Sequence, residues 1–191
     1  MAYCNQTLAG ISLDCTTALG GIKTVYIANY GDVDGKPIVD VEKGPENPDL
    51  TYGMITEIPM RTPKEGGTAP KFKPYQFRKQ TGSMTSTLNV DEAAGVNYVS
   101  TELSLVFTKM ETAKRVEMSA LALGQLAVIV KDSNNKYWYL GYDDYVSATA
   151  GGANTGTAKG DQNGYTLTLR DESDTYPFEV SEEAVLAVVE E

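Results

Sequence analysis

Alternation of apolar and polar positions recurs along this chain more often than any helical repeat. The clearest stretch is VNYVSTELSLVFT, Val96 to Thr108, where Val99, Thr101, Leu103, Leu105 and Phe107 share one side. A period of two sends successive side chains to opposite faces of a strand, so this stretch predicts a strand with one buried face. GYTLTLRDE, from Gly164, repeats the pattern, with Tyr165, Leu167 and Leu169 on one face and Thr166, Thr168 and Arg170 on the other. KTVYIANY, Lys23 to Tyr30, is the first convincing strand. QLAVIVKD, Gln125 to Asp132, is the most apolar one, and YWYLGYDDYV returns from it across the turn SNNK, which predicts a hairpin.

The stretches between are less regular. Asp34-Gly35 is a hairpin signal, and Pro45 and Pro48 argue for a loop rather than a central strand. TYGMITEIPM alternates on Tyr52, Met54 and Ile58, and RTPKEGGTAP reads as a loop tip. KFKPYQFRKQTGSMTSTLNV alternates for a long distance with two mixed faces. Such a strand is an exposed arm or one buried only by another subunit. One helix is expected from about Lys109 to Leu123. Thr108 and Glu111 fit a capping box, Ala113, Val116, Ala120 and Leu123 recur at helical spacing, and Gly124 suits the end. SEEAVLAVVEE reads either as a short helix or as an edge strand. The plan is a single mainly β domain over residues 1–191, a β-sandwich or barrel with one flanking helix and an arm or loop at about 59–90.

Composition agrees with this plan. The chain has 191 residues, 41% hydrophobic and 22% charged, with 18 Gly, 12 Tyr and no His. The formal net charge is -10. A general nucleic-acid binder needs a basic surface to displace counterions, so that class is disfavoured. Arg61 to Lys79 departs from the acidity, since Arg61, Lys64, Lys71, Lys73, Arg78 and Lys79 face only Glu65 there. This basic segment is either a solvated hairpin or an arm that meets an acidic surface, such as another copy.

Candidate chemistry is sparse. Without histidine, Ser-His-Asp and Cys-His arrangements and His-ligated zinc are impossible. No Walker A or G-x-G-x-x-G pattern appears. Asp143-Asp144 is an adjacent acidic pair, but neighbours on a strand point apart. No enzyme activity, metal or cofactor is expected. Asp161-Gln162-Asn163-Gly164 and Asp132-Ser133-Asn134-Asn135 resemble fragments of calcium loops but read better as turns. Trp138 with Tyr137 and Tyr139 could offer a sugar platform, yet a strand sends Trp138 away from both tyrosines, which favours core packing. Cys4 and Cys15 read as two thiols, or as a disulfide if the first segment doubles back. No Lys or Arg precedes Lys23, and no stretch approaches membrane-helix length, so synthesis in a cytoplasm and no membrane partner are expected.

GIKTVYIANYGDV, LALGQLAVIVKDSNNKYWYLGYDD and TGTAKGDQNGYTLTLRDES, in that order, resemble structural proteins of tailed bacteriophages, especially those of gut Bacteroidetes. The nearest class is the major tail (tail tube) protein, with hub, connector, ring or head-decoration proteins as alternatives and a carbohydrate-binding module as a third. The resemblance implies a sandwich with a flanking helix, whose copies form hexameric rings. Inner strands would join into one barrel, and stacked rings would conduct DNA without specific binding. Other tail or connector proteins would be partners, and the virion tail the location. It also implies that the basic segment is a contact arm, that Gly151 to Gly160 is a second contact, and that acids line the lumen. Asp91 and Glu92 are the leading candidates for such acids; Glu102 is another if a bulge shifts the register.

Overall fold

The computed structural model describes residues 11, 17–40, 42–44, 47–63 and 67–190. The chain is mainly β, with strand for 47% of residues and helix for 14%. Strand β1 (Ile22–Asn29) leads through a short 3-10 turn at Tyr30–Asp32 to β2 (Ile38–Val39), β3 (Glu42–Gly44), β4 (Asn47–Tyr52), β5 (Ile55–Glu57) and β6 (Lys73–Tyr75). Strands β7 (Ser83–Asp91) and β8 (Val96–Thr108) follow, then helix α1 (Thr112–Leu123). The remainder is β9 (Leu126–Asp132), β10 (Tyr137–Leu140), β11 (Ser147–Asn154), β12 (Gly164–Ser173), β13 (Phe178–Val180) and α2 (Glu182–Val188).

These strands form a seven-stranded sheet in the order β2-β5-β13-β10-β9-β1-β6 and a four-stranded sheet in the order β11-β12-β8-β7. Strands β3 and β4 make a separate two-stranded hairpin. The core lies in two layers. Between the large sheets, Val25, Ile27, Val128, Val130 and Leu140 meet Leu103, Leu105, Phe107, Tyr165, Leu167 and Leu169. On the far face of the seven-stranded sheet, Ala127, Ile129, Tyr137 and Tyr139 pack under Ala184, Val185 and Val188 of α2. The central strand β9 is therefore buried on both faces, which is why its sequence is continuously apolar rather than alternating.

Several sequence expectations change here. Among the described residues there are two helices, because the segment left open between helix and edge strand is helical over Glu182–Val188. Ser181 caps α2, its hydroxyl accepting from the Ala184 N–H at 3.2 Å. The capping box at Thr108 does not form: Thr108 ends β8, and Glu111 is the N-cap of α1 without a side-chain cap bond. The buried face of α1 carries Leu121 and Met118, and Ala113, Val116, Ala120 and Leu123 face outward. Asp34-Gly35 turns the chain, Gly35 having φ +88°, but β1 pairs with β6 and β9 and not with β2. Pro48 sits within β4, which is tolerated because a two-stranded hairpin has only edge strands.

The 59–90 segment is not one arm. Phe72 is fully buried, β6 joins the edge of the larger sheet, and β7 belongs to the smaller one. The mixed faces of the sequence arise because the chain crosses from one sheet to the other at residues 76–82, exchanging its inward side. Among the described residues of this segment, 59–63, 67–72 and 76–82 lie outside the named strands. Cys4, Cys15 and Lys64 fall outside the described residues.

Candidate assembly interface

The four-stranded sheet has one face in the core and one bare. Leu103, Leu105 and Phe107 of β8 and Tyr165, Leu167 and Leu169 of β12 point inward. The unbroken pairing of Ser83 with Ser104, Thr85 with Glu102 and Thr87 with Ser100 puts these six residues on the opposite face. From β12 that face receives Thr166, Thr168, Arg170 and Glu172, opposite Val106, Ser104, Glu102 and Ser100. The face is thus mostly Ser and Thr, with few charges. Arg170 is neutralised in place: its guanidinium lies 2.7 Å from Glu172, and its Nε–H donates to the Ser100 hydroxyl at 3.0 Å. Glu102 has no such ion-pair partner among the described residues.

The two sheets treat their edges differently. The seven-stranded sheet ends on β2, two residues long, and on β6, three residues long and containing Lys73 and Pro74. Short strands, lysine and proline are the usual means of blocking unwanted pairing. The four-stranded sheet ends on β7, nine residues, SMTSTLNVD, and on β11, eight residues, SATAGGAN. Neither contains proline or lysine, and β11 carries no charge at all; its one irregularity is a bulge between Ala148 and Ala150, which leaves the regular stretch from Ala150 to Asn154 at the edge. Thr149 to Asn154 are all exposed. Helix α1 packs beside β11 and turns Ala113, Val116, Ala120 and Leu123 outward as an apolar stripe. Val116 and Leu123 are 56% and 91% exposed, which is high for such residues.

The loops at the ends of this sheet explain the acidic motifs. Asp161 accepts at Oδ2 from the Thr157 N–H at 2.8 Å, the Thr157 hydroxyl at 2.9 Å and the Ala158 N–H at 2.7 Å. These bonds hold its carboxyl below the usual carboxylate range and leave the loop without a free ligand set. The β11–β12 connection spans residues 155–163, so Asn163-Gly164 is not a two-residue hairpin. Asn163 instead ties the loop to the end of β8. Its backbone carbonyl accepts from Lys109 N–H at 2.7 Å and its side-chain oxygen from Met110 N–H at 3.0 Å. Gly164 then passes so close to β8 that a Cβ would lie 2.0 Å from the Phe107 carbonyl oxygen.

The other singled-out residues are also engaged locally. Asp132 Oδ1 accepts from the N–H groups of Asn134 and Lys136 at 2.7 and 2.9 Å, closing the β9–β10 turn. Asp143 binds Lys36 at 2.7 Å, while Asp144 accepts from Tyr145 N–H, so the pair does not converge. Tyr137 and Tyr139 are buried on the α2 side, whereas Trp138 packs half-buried against the inter-sheet core. No aromatic platform forms among these three residues. Lys71, Lys73, Arg78 and Lys79 are exposed but split between two regions, Lys71 and Lys73 flanking the β6 edge and Arg78 and Lys79 in the crossover. Arg61 is exposed beside the Asp32 carbonyl, which accepts its backbone N–H. Asp91 ends β7, where its Oδ1 accepts from Ala93 and Ala94 N–H at 3.0 and 3.1 Å, and Glu92 lies in the turn. Glu102 reaches the bare face without a bulge, because the β7–β8 register is unbroken.

Sequence reasoning finds the faces of β8 and β12 but misses the open edges. Their signal is the absence of Lys and Pro from the β7 and β11 segments, which becomes informative only once the strand order is known. No helix among the described residues is long and apolar enough to cross a membrane. No family model, curated protein or solved structure matches this chain.

Proposed function

We propose that this chain is a structural subunit of a tailed-phage tail tube, whose copies join edge to edge into rings. The observation that carries the reading is the pair of long edges without lysine or proline on the four-stranded sheet, set against the blocked edges of its neighbour. Its strands alternate in direction, so β11 and β7 run oppositely. In a cyclic assembly every copy has the same polarity. The β7 of one copy then meets the β11 of the next in antiparallel sense, and the ladder continues without a break. Closure removes both free edges of the four-stranded sheet, which a single copy cannot do.

The bare Ser/Thr face becomes the wall of the enclosed channel. Six copies with strands about 4.8 Å apart would give a barrel roughly 37 Å across before strand tilt widens it. The apolar stripe of α1, adjacent to β11, would be covered in the same step. DNA passes through the channel without specific binding, and other tail or connector proteins terminate the stack. The proposal includes no catalysis; Asp143 is paired with Lys36 and Asp144 accepts from the Tyr145 N–H.

Size-exclusion chromatography and negative-stain microscopy of the purified chain test the reading. Rings or tubes are expected. Ala150→Lys with Ala153→Lys places two charges on the exposed β11 edge. It should yield monomers whose melting temperature is unchanged, since surface substitutions shift stability by only about 0.5 kcal/mol. A wild-type chain that stays monomeric at high concentration would overturn the proposal.

A further inference from the structure

The four-stranded sheet is charged oppositely at its two ends along the strand direction. At one end the β7–β8 hairpin projects past its neighbour: β12 pairing stops at Val99, while β7 continues to pair as far as Val96. Three residues of overhang correspond to roughly 10 Å. The tip carries Asp91 and Glu92, and its flanks expose Leu88, Val90 and Val96 at 46%, 61% and 45%. The neighbouring segments at this end add Asp144 and Asp174, while Asp143 and Glu172 are paired with Lys36 and Arg170. The opposite end has an open groove of about 1130 Å³ over the end of β8, walled by the 76–82 crossover and the 155–163 loop. Arg78, Lys109 and Lys159 line it against one carboxylate, Asp161, which is turned into its own loop by the Thr157 and Ala158 N–H groups, and Val106 and Met110 supply apolar surface. Lys109 is paired with Glu111, which leaves Arg78 and Lys159 as its cations without an ion-pair partner among the described residues.

We infer that the acidic hairpin tip of one copy seats in the basic groove of a second copy, head to tail along the strand direction. This deepens the ring reading and rests on it, because the ring supplies the common axis. The tip charges meet Arg78 and Lys159, while the Val96 side chain, on the same face of the hairpin as Asp91, meets the apolar patch of Val106 and Met110. One such contact is small and partly solvated. A ring presents several at once, so stacking gains from multivalency and should follow ring closure. The contact is electrostatic and screened over about 8 Å at physiological salt, whereas the edge ladder is not.

The test separates the two contacts. Asp91→Asn with Glu92→Lys reverses the tip charge while keeping the acceptor that caps the turn at Ala93 and Ala94. Arg78→Glu with Lys159→Glu reverses the groove. Each double variant should form rings that fail to stack, with melting temperatures matching wild type. Combining all four substitutions, or mixing the two variants so that a reversed tip meets a reversed groove, should restore stacking. Wild-type stacks should fall apart into intact rings at high salt. Rings that stack equally well with either reversed end would overturn this contact and leave the ring reading standing. Stacking lost in both double variants and not restored in the four-substitution chain would also overturn it. A chain that forms no rings at all would overturn both. Should a tip variant melt early, Glu92→Gln alone, which touches no turn bond, must still weaken stacking.

Discussion

Asp171 is the carboxylate, among the described residues, whose environment most alters its chemistry. It sits on the inward side of β12, 2% exposed, with its Oδ1 accepting one bond from Gly141 N–H at 3.1 Å. Burial pushes its carboxyl from 3.8 up to about 6, helped by the nearby charges of Asp143, Glu172 and Asp144 and opposed by that single N–H. The folded state therefore holds the proton more tightly than the unfolded chain. This group costs nothing below about pH 4; its cost grows as pH rises to about 6 and is then fully present. A rise of that size sets an upper bound of about 3 kcal/mol on the cost. Asp171→Asn keeps the acceptor for Gly141 and removes the charge. It should raise stability at pH 7.5 by about 1–2 kcal/mol and flatten the change between pH 4 and 6. Urea denaturation of both proteins at pH 4.5 and 7.5 checks this; an unaltered pH dependence would show that Asp171 is not the titrating group.

Helix α2 illustrates what an element contributes beyond its length. Seven residues are too few to be stable alone, so packing and the cap must hold it. Ala184, Val185 and Val188 close the second core, and Ser181 satisfies one free N–H at the start. Ser181→Ala should cost about 1 kcal/mol in chemical denaturation; no loss would mean that packing alone fixes the helix. The sequence leaves this segment open between helix and edge strand, because its short apolar run fits both periods. Strands β8, β9, β10 and β12 are legible because their alternation or apolar run is long, and a long pattern leaves few alternatives. Helix α1 is legible in extent but not in orientation. Its two apolar stripes compete, and only the neighbouring sheet decides that Met118 and Leu121 turn inward. The two-layer core is not legible, since nothing local tells β9 that α2 returns from the far end of the chain. The expected basic arm fails for the same reason: Phe72 is anchored beside Val189, more than a hundred residues away.

At the scale of the whole molecule, the acidity of the chain is unevenly placed. The bare face carries Asp91, Glu102 and Glu172 against Arg170 alone, a net charge of -2 on a surface otherwise built of Ser and Thr. Asp91 lies at the rim and Glu172 is paired with Arg170, so Glu102, in mid-strand between Thr85 and Arg170, is the acid that controls the middle of the wall. Cyclic symmetry repeats each such residue around the axis, so one carboxylate per copy becomes a belt. A belt of that sign repels phosphates, and its field fades over about 8 Å at physiological salt, which confines its effect to DNA moving close to the wall. Glu102→Lys inverts the belt without touching the core or either edge ladder. Rings should assemble normally, but DNA passage should slow markedly at low salt and recover as salt rises, because added counterions compete for the new cations. Glu102→Gln should leave passage near wild type, since removing a weak repulsion creates no attraction. Ejection kinetics from assembled particles, followed across a salt series, measure this directly. Normal ejection from Glu102→Lys particles at low salt would place this face outside the channel, and with it the barrel arrangement of the wall would fail.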